Sequence, residues 1–251
     1  MSYNLNNLIA ERPNKKIYRD GDKTIKVFNE DFSAANVLNE ALNLAYVGET
    51  GLAVPHLIEV SRINGTWTLV VEYIEGTTLY EFMKQNPDKT AEYLERFVEI
   101  QINTQGFSAP GLKRHKEKMH TKIRQSGLDA TQRYELHTRL DSLPDLDQLC
   151  HGDFNPSNIV ITDKDEAYTI DWAHATQGDP AAGAARTFLL FTLQGRGDLA
   201  KQYLSLFCKK TDTARQHVEK WIPIVSASQL VKGKLEERDI LLKWATVVDY
   251  E

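Results

Sequence analysis

The chain has 251 residues, of which 41% are hydrophobic and 26% charged, and its net charge is −5. That balance excludes a disordered chain, and the negative charge argues against a nucleic-acid binder, which carries a concentrated basic excess. No apolar run reaches the ~20 residues of a membrane-spanning helix, Met1–Asn7 lacks the basic and apolar blocks of a secretory signal, and Cys150 and Cys208 are too few for a disulfide framework. The expectation is a cytoplasmic protein with no membrane or nucleic-acid partner.

The first seventy-odd residues read as strands with one helix. Lys16–Arg19 and Thr24–Phe28 alternate around Asp20, Gly21 and Asp22, whose Asp-Gly pair suits a tight hairpin. From Phe32 to about Gly48 the apolar residues Val37, Leu38, Ala41, Leu42 and Ala45 recur at helical steps. Leu57–Val60 and Thr66–Val71 flank Asn64-Gly65, a strong hairpin signal. A small antiparallel sheet with one helix is the natural assembly.

After Gly76 the pattern is mainly helical. Asn86 can cap a helix beginning at Pro87, with Leu94, Phe97, Val98 and Ile102 on one face. Asp129 and Gln132 have the spacing of a capping box before Leu136 and Leu140. Short strands then interrupt. Residues 157–161 and 167–170 surround a polar turn, so they form a hairpin with Asn158 near its start and Asp171 just past its end. Helices over Thr187–Leu193, Leu199–Phe207 and Asp239–Val248 complete the chain, with Pro223 expected to kink another.

The most informative stretch is His151-Gly152-Asp153, then Asn158 five residues after Asp153, then Ile170-Asp171-Trp172. That spacing suits one loop aiming a carboxylate at an acceptor hydroxyl and a carboxamide at a metal ion, with Asp171 as a second metal contact. Phosphoryl transfer needs such parts more than covalent chemistry from the protein, because the moving group carries charge spread over its oxygens. Asn158 offers a neutral oxygen and Asp171 a charged one, a mixture suited to magnesium.

These residues, with Gly178-Asp179-Pro180, Val70–Gly76 and Trp221–Pro223, resemble the aminoglycoside phosphotransferase and choline kinase superfamily, which shares the protein-kinase fold. The resemblance implies an α+β, bilobal protein-kinase-like chain. Residues 1–75 would form a nucleotide-binding lobe with a small antiparallel sheet, and 76–251 a helical lobe with the catalytic loop and substrate cleft. It implies Asp153 as the catalytic carboxylate, Asn158 and Asp171 as Mg2+ ligands, and Lys26 on the α- and β-phosphates of ATP or GTP with Glu40 as its partner. The carbonyl of Glu72 and the amide of Ile74 would receive adenine. His151 and Arg186 would be structural, as would Asp179. No Gly-x-Gly-x-x-Gly is present, and the corresponding turn would be Ala10–Lys16, with Asn14 or Lys15 near phosphate.

The implied activity is transfer of a nucleotide γ-phosphate to a small hydroxylated molecule, such as an aminoglycoside, a choline-like amino alcohol or a related metabolite. A protein Ser/Thr kinase and a non-catalytic nucleotide-binding module are the alternatives. Glu236, Glu237, Asp239, Asp249 and Glu251 could receive a cationic acceptor, and Trp221, Trp244 and Tyr250 a quaternary ammonium. The sequence sets neither the acceptor nor the oligomeric state.

Overall fold

The computed structural model describes residues 3–246. Val248, Asp249, Tyr250 and Glu251, named above, lie outside the described residues. The chain opens with β1 (Leu8–Arg12), β2 (Lys15–Asp20) and β3 (Lys23–Phe28), then α1 (Ala34–Gly48), β4 (Leu57–Ile63) and β5 (Thr66–Glu72). The five strands form one antiparallel sheet in the order β1-β2-β3-β5-β4. Asn64 and Gly65 both have positive φ, 51° and 85°, the conformation a two-residue hairpin turn needs to match strand twist.

Strand register decides which side chains meet. Lys15 pairs with Phe28 and Ile17 with Lys26, so Lys15 and Lys26 lie on one face of the sheet. Helix α1 buries Val37, Glu40, Ala41, Leu44 and Val47, a stripe at helical spacing in which Glu40 is the one charged member. The turn expected over Ala10–Lys16 is shorter than that. Strand β1 continues to Arg12 and β2 begins at Lys15, leaving Pro13, which has no N–H for a ladder, and Asn14.

The chain continues through β6 (Thr77–Thr78), α2 (Leu79–Gln85), α3 (Thr90–Gln105), α4 (His115–Gln125), α5 (Ala130–Ser142), β7 (Gln148–Cys150), β8 (Ile159–Ile161), β9 (Ala167–Thr169) and β10 (Thr176–Gly178). Helices α6 (Pro180–Leu193), α7 (Gly197–Thr211), α8 (Arg215–Leu230) and α9 (Arg238–Ala245) follow. Asn86 does not start a helix. It ends α2, its Nδ2 donating to the Phe82 carbonyl at 3.0 Å, and Pro87–Lys89 forms a 3₁₀ turn before α3. The Asp129/Gln132 capping box is present in both directions, and α8 runs through Pro223.

Contacts group residues 1–89 with 156–174 as one unit, and 90–155 with 175–251 as another. The first holds the five-stranded sheet and α1 together with the β6-β8-β9 sheet. Asn43 of α1 ties the 3₁₀ turn Trp172–His174 to it, donating to the carbonyls of Trp172 and Ala173 at 3.2 and 3.3 Å. In the second unit Phe97 packs against Phe154, Phe191 and Tyr203 at ring distances of 4.9, 5.7 and 5.8 Å. Among the described residues no helix is long and apolar enough to cross a membrane.

Asp179 organises one side of the second unit. It caps α6 by accepting from the Ala181 N–H at 2.9 Å, and its other oxygen accepts from Trp221 Nε1 at 2.9 Å and meets His217 Nε2 at 2.7 Å. Nearby, His115 is buried, with Nδ1 2.9 Å from the Thr176 hydroxyl. Gly178 permits this packing, since a Cβ there would fall 2.5 Å from His115 Cβ. Burial, and then the charge of Lys118, push the His115 pKa down from 6.5 to about 3.

A stability consequence follows with a definite sign. Below pH 6.5 the unfolded chain protonates this imidazole while the folded one does not, so stability falls as pH drops from about 6.5 toward 3, by at most ~1.4 kcal/mol per pH unit. Thermal melts across that range should show a shallower pH dependence for His115→Gln than for wild type; parallel curves would refute the assignment.

Candidate active site

The first unit gathers four charged side chains. Lys26, on β3, has Nζ 2.5 Å from Glu40 Oε1 and 3.4 Å from Asp171 Oδ1. Lys15, on β2, has Nζ 3.3 Å from Glu40 Oε2 and 3.5 Å from Asp171 Oδ1. Both lysines and Glu40 are buried, and Asp171 is the more open member. Burial pushes the Lys26 pKa down, but Asp171 and Glu40 outweigh it and the net shift is upward, so Lys26 carries its charge at neutral pH.

Local structure holds each member in place. The β2–β3 register puts the two ammonium groups on one face, and the buried stripe of α1 delivers Glu40. Asp171 has φ +65°, a left-handed conformation that Asp adopts more readily than most residues. Asn158 ends the 3₁₀ turn Pro156–Asn158, and its carbonyl accepts the Ile170 N–H at 2.9 Å. That bond ties Asn158 to the residue before Asp171. Glu72 ends β5, and its side chain accepts the His56 N–H at 3.1 Å; Ile74 lies two residues on, in the segment leading to β6.

The second unit holds Asp153. Gly152, with φ +80°, turns the chain after β7, and His151 Nδ1 accepts the Asp153 N–H at 3.2 Å. Asn155 Nδ2 donates to the Asp153 carbonyl at 2.9 Å. Thr187 of α6 pins the same loop by donating to the Phe154 carbonyl at 2.9 Å. Arg186, expected to serve lobe structure, has Nη2 3.8 Å from Asp153 Oδ1. Its helical position gave no sign of that neighbour.

Two residues offered as aromatic walls do other work. Trp221 is buried and bonded to Asp179, and Trp244 stacks on Phe188 at 5.7 Å. Glu237, offered as a receptor for cations, is 2.8 Å from Lys234 and accepts from Gln229 Nε2 at 2.5 Å.

The family model described as "Phosphotransferase enzyme family" (APH) matches residues 14–218. The chain belongs to this phosphotransferase family. No curated protein matches the phosphotransferase in sequence. Its fold is that of solved aminoglycoside phosphotransferases. The structure of APH(4)-Ia superposes with a TM-score of 0.69 at 13% identity, covering 95% of this chain and 89% of that one. A ternary complex of a thermostable APH(4)-Ia mutant with AMP-PNP and hygromycin B gives 0.68 at 15% identity, covering 95% and 90%. A choline/ethanolamine kinase family protein from Mesorhizobium loti gives 0.59 at 18% identity, covering 94% and 82%. The α+β, bilobal protein-kinase-like class read from the motifs is thus the observed one.

The lysine pair depends on its carboxylates. Removing one partner of a buried ion pair leaves charge without compensation, at about 3 kcal/mol. Glu40→Gln, which is nearly isosteric, should lower the unfolding free energy by that order and so shift the urea midpoint down; an unchanged midpoint would show that Glu40 is not what holds the two ammonium groups.

Proposed function

We propose that this phosphotransferase is a Mg-dependent kinase that moves the γ-phosphate of ATP, or GTP, to a hydroxyl of a small molecule. The observation that carries the reading is the buried Lys26–Glu40 pair with Asp171 beside it. An ammonium held by a carboxylate is fixed for phosphate, and a neighbouring carboxylate can take a metal. The nucleotide and hygromycin B in the APH(4)-Ia complex support the same class of reaction. Glu72 and Ile74 would receive the base through their backbone.

The donor set of Asn158 and Asp171 fits magnesium, since both offer hard oxygens and a single carboxylate suits an ion that keeps waters and phosphates as its other ligands. When bound, the ion would neutralise charge on the transferring phosphoryl group. Lys26 would hold the α- and β-phosphates, and Lys15, on the same face, would add a second ammonium toward phosphate oxygen. Asp153 would orient the acceptor hydroxyl. The acceptor oxygen bonds to the γ-phosphorus as the bond from phosphorus to the β,γ-bridging oxygen breaks; the hydroxyl proton passes to Asp153, and the nucleoside diphosphate leaves. The reaction needs no secreted or membrane setting, in keeping with a cytoplasmic enzyme.

The test is phosphoryl transfer from MgATP and MgGTP to a panel of aminoglycosides, choline, ethanolamine, sugars and hydroxy acids, read by mass spectrometry of the acceptor. Asp153→Asn should lower kcat by at least ~100-fold while leaving nucleotide binding in place. Transfer that survives in this variant would remove Asp153 from the chemistry. Nucleotide binding without transfer to any acceptor would favour a binding module.

A further inference from the structure

The loop that carries Asp153 borders a recess within the second unit. Its neighbours Gly152 and Phe154 line one side, Gln101, Thr104 and Gln105 of α3 another, and Gly183 and Arg186 of α6 the third. The cavity measures about 10 Å³, close to the smallest space that holds one water, and it has no room for a larger ligand.

Gln101 gives the recess its chemistry. This residue is 2% exposed; its Oε1 accepts from the Tyr203 hydroxyl at 2.7 Å, while its Nε2 is buried without a hydrogen-bond partner. Turning the amide over only exchanges the roles, because a hydroxyl donates or accepts, and an unmatched polar atom still faces the recess. Native interiors rarely leave such a group unsatisfied.

Gly183 keeps the space open. A Cβ there would lie 2.9 Å from Gln105 Nε2 and 3.8 Å from Gln101 Nε2, so both amides converge on the side-chain position that glycine lacks. Glycine inside a helix is unfavourable relative to alanine, and its place at the fourth position of α6 has a reason in this space. The partners a water needs are at hand. Gln101 Nε2 donates, Gln105 Nε2 spends one N–H on the Pro180 carbonyl at 3.2 Å and has a second, and Arg186 brings a guanidinium. The Thr104 hydroxyl donates to the Ile100 carbonyl at 2.9 Å, which leaves its oxygen to accept.

We propose that one ordered water occupies this recess and joins the Asp153 loop to α3 and α6, with Gln101 as its anchor and Gly183 as the positioning residue that gives it room. Thr187 of α6 already holds the Phe154 carbonyl at 2.9 Å, and the water adds a hold from α3. The consequence for catalysis rests on the phosphotransferase reading of Asp153, whereas the water itself does not.

Two substitutions separate the water from ordinary helix chemistry. Gly183→Ala and Gly183→Ser place the same Cβ against the far end of Gln105, so they share any clash, and helix propensity alone ranks alanine above serine. The proposal reverses that order, because the methyl of Gly183→Ala displaces the water and leaves Gln101 unmatched, while the hydroxyl of Gly183→Ser takes its place. In thermal melts Gly183→Ala should unfold about 2–4 °C below Gly183→Ser; a melt at or above that of Gly183→Ser overturns the proposal. A crystal structure of the wild-type chain should show a water peak within hydrogen-bond distance of the Gln101 amide, and a recess without that peak overturns it too. With MgATP and an acceptor that wild type turns over, Gly183→Ala should lower kcat at least about tenfold with the KM for MgATP unchanged, and Gly183→Ser should recover most of the loss. A kcat equal to that of wild type in Gly183→Ala overturns the positioning role. Absence of transfer by wild type to every acceptor removes the kinase reading, and the melts and the water peak then decide the proposal by themselves.

Discussion

Two ammonium groups withdrawn from water on one face of a small sheet must be met by carboxylates, because an isolated buried charge is prohibitively unfavourable. Lys15 and Lys26 are placed there by strand register, and Glu40 and Asp171 meet them. The first unit depends on that requirement. Helix α1 has to present Glu40 inward within an otherwise apolar stripe, and Asn43, one turn on, has to hold the Trp172–His174 turn that follows Asp171. The arrangement leaves the cluster near electrical balance, with Asp171 as the member most open to solvent.

The second unit follows a different rule. Its central carboxylate, Asp179, is buried and satisfied by a helix N-terminus, an indole and an imidazole, which makes it a structural fixture. Asp153 Oδ2 accepts from Asn155 Nδ2 at 3.5 Å, and its Oδ1 lies 3.8 Å from Arg186 Nη2. The backbone around it is pinned by His151, Asn155 and Thr187. A pinned loop with a charged tip suits the role proposed for Asp153, orienting a hydroxyl, where small errors of position cost rate.

Much of this was legible in the sequence, for identifiable reasons. The Asn64-Gly65 turn, the alternating strands of residues 16–28 and the Asp129/Gln132 box are local signals whose physics is complete within a few residues. The Asp153, Asn158 and Asp171 spacing was readable because loop chemistry is compressed into a short stretch, and the pairing of Lys26 with Glu40 because the motif supplied a reason to look. The sequence leaves Lys15 ambiguous because its partner is set by a strand pairing, and the turn expected over Ala10–Lys16 takes in the end of β1, an exposed edge with no apolar alternation. Asn86 read as a helix start because its type suits either end of a helix, and its actual bond runs backward to Phe82. Arg186 comes from α6 and Asp153 from the loop after β7, so only tertiary structure brings them together. A single boundary near residue 75 marks where strands give way to helices, while the contacts return residues 156–174 to the strand-rich unit.

The central claim is that the Lys15, Lys26, Glu40 and Asp171 cluster is the seat of a metal–nucleotide complex. Calorimetric titration of ATP with and without magnesium, into wild type, Lys26→Met and Asp171→Asn, tests it most directly. The account predicts saturable binding to wild type that strengthens with magnesium, weakening by at least about tenfold in Lys26→Met, and loss of the magnesium dependence in Asp171→Asn. Equal affinities in all three proteins, or wild-type binding indifferent to magnesium, would contradict it.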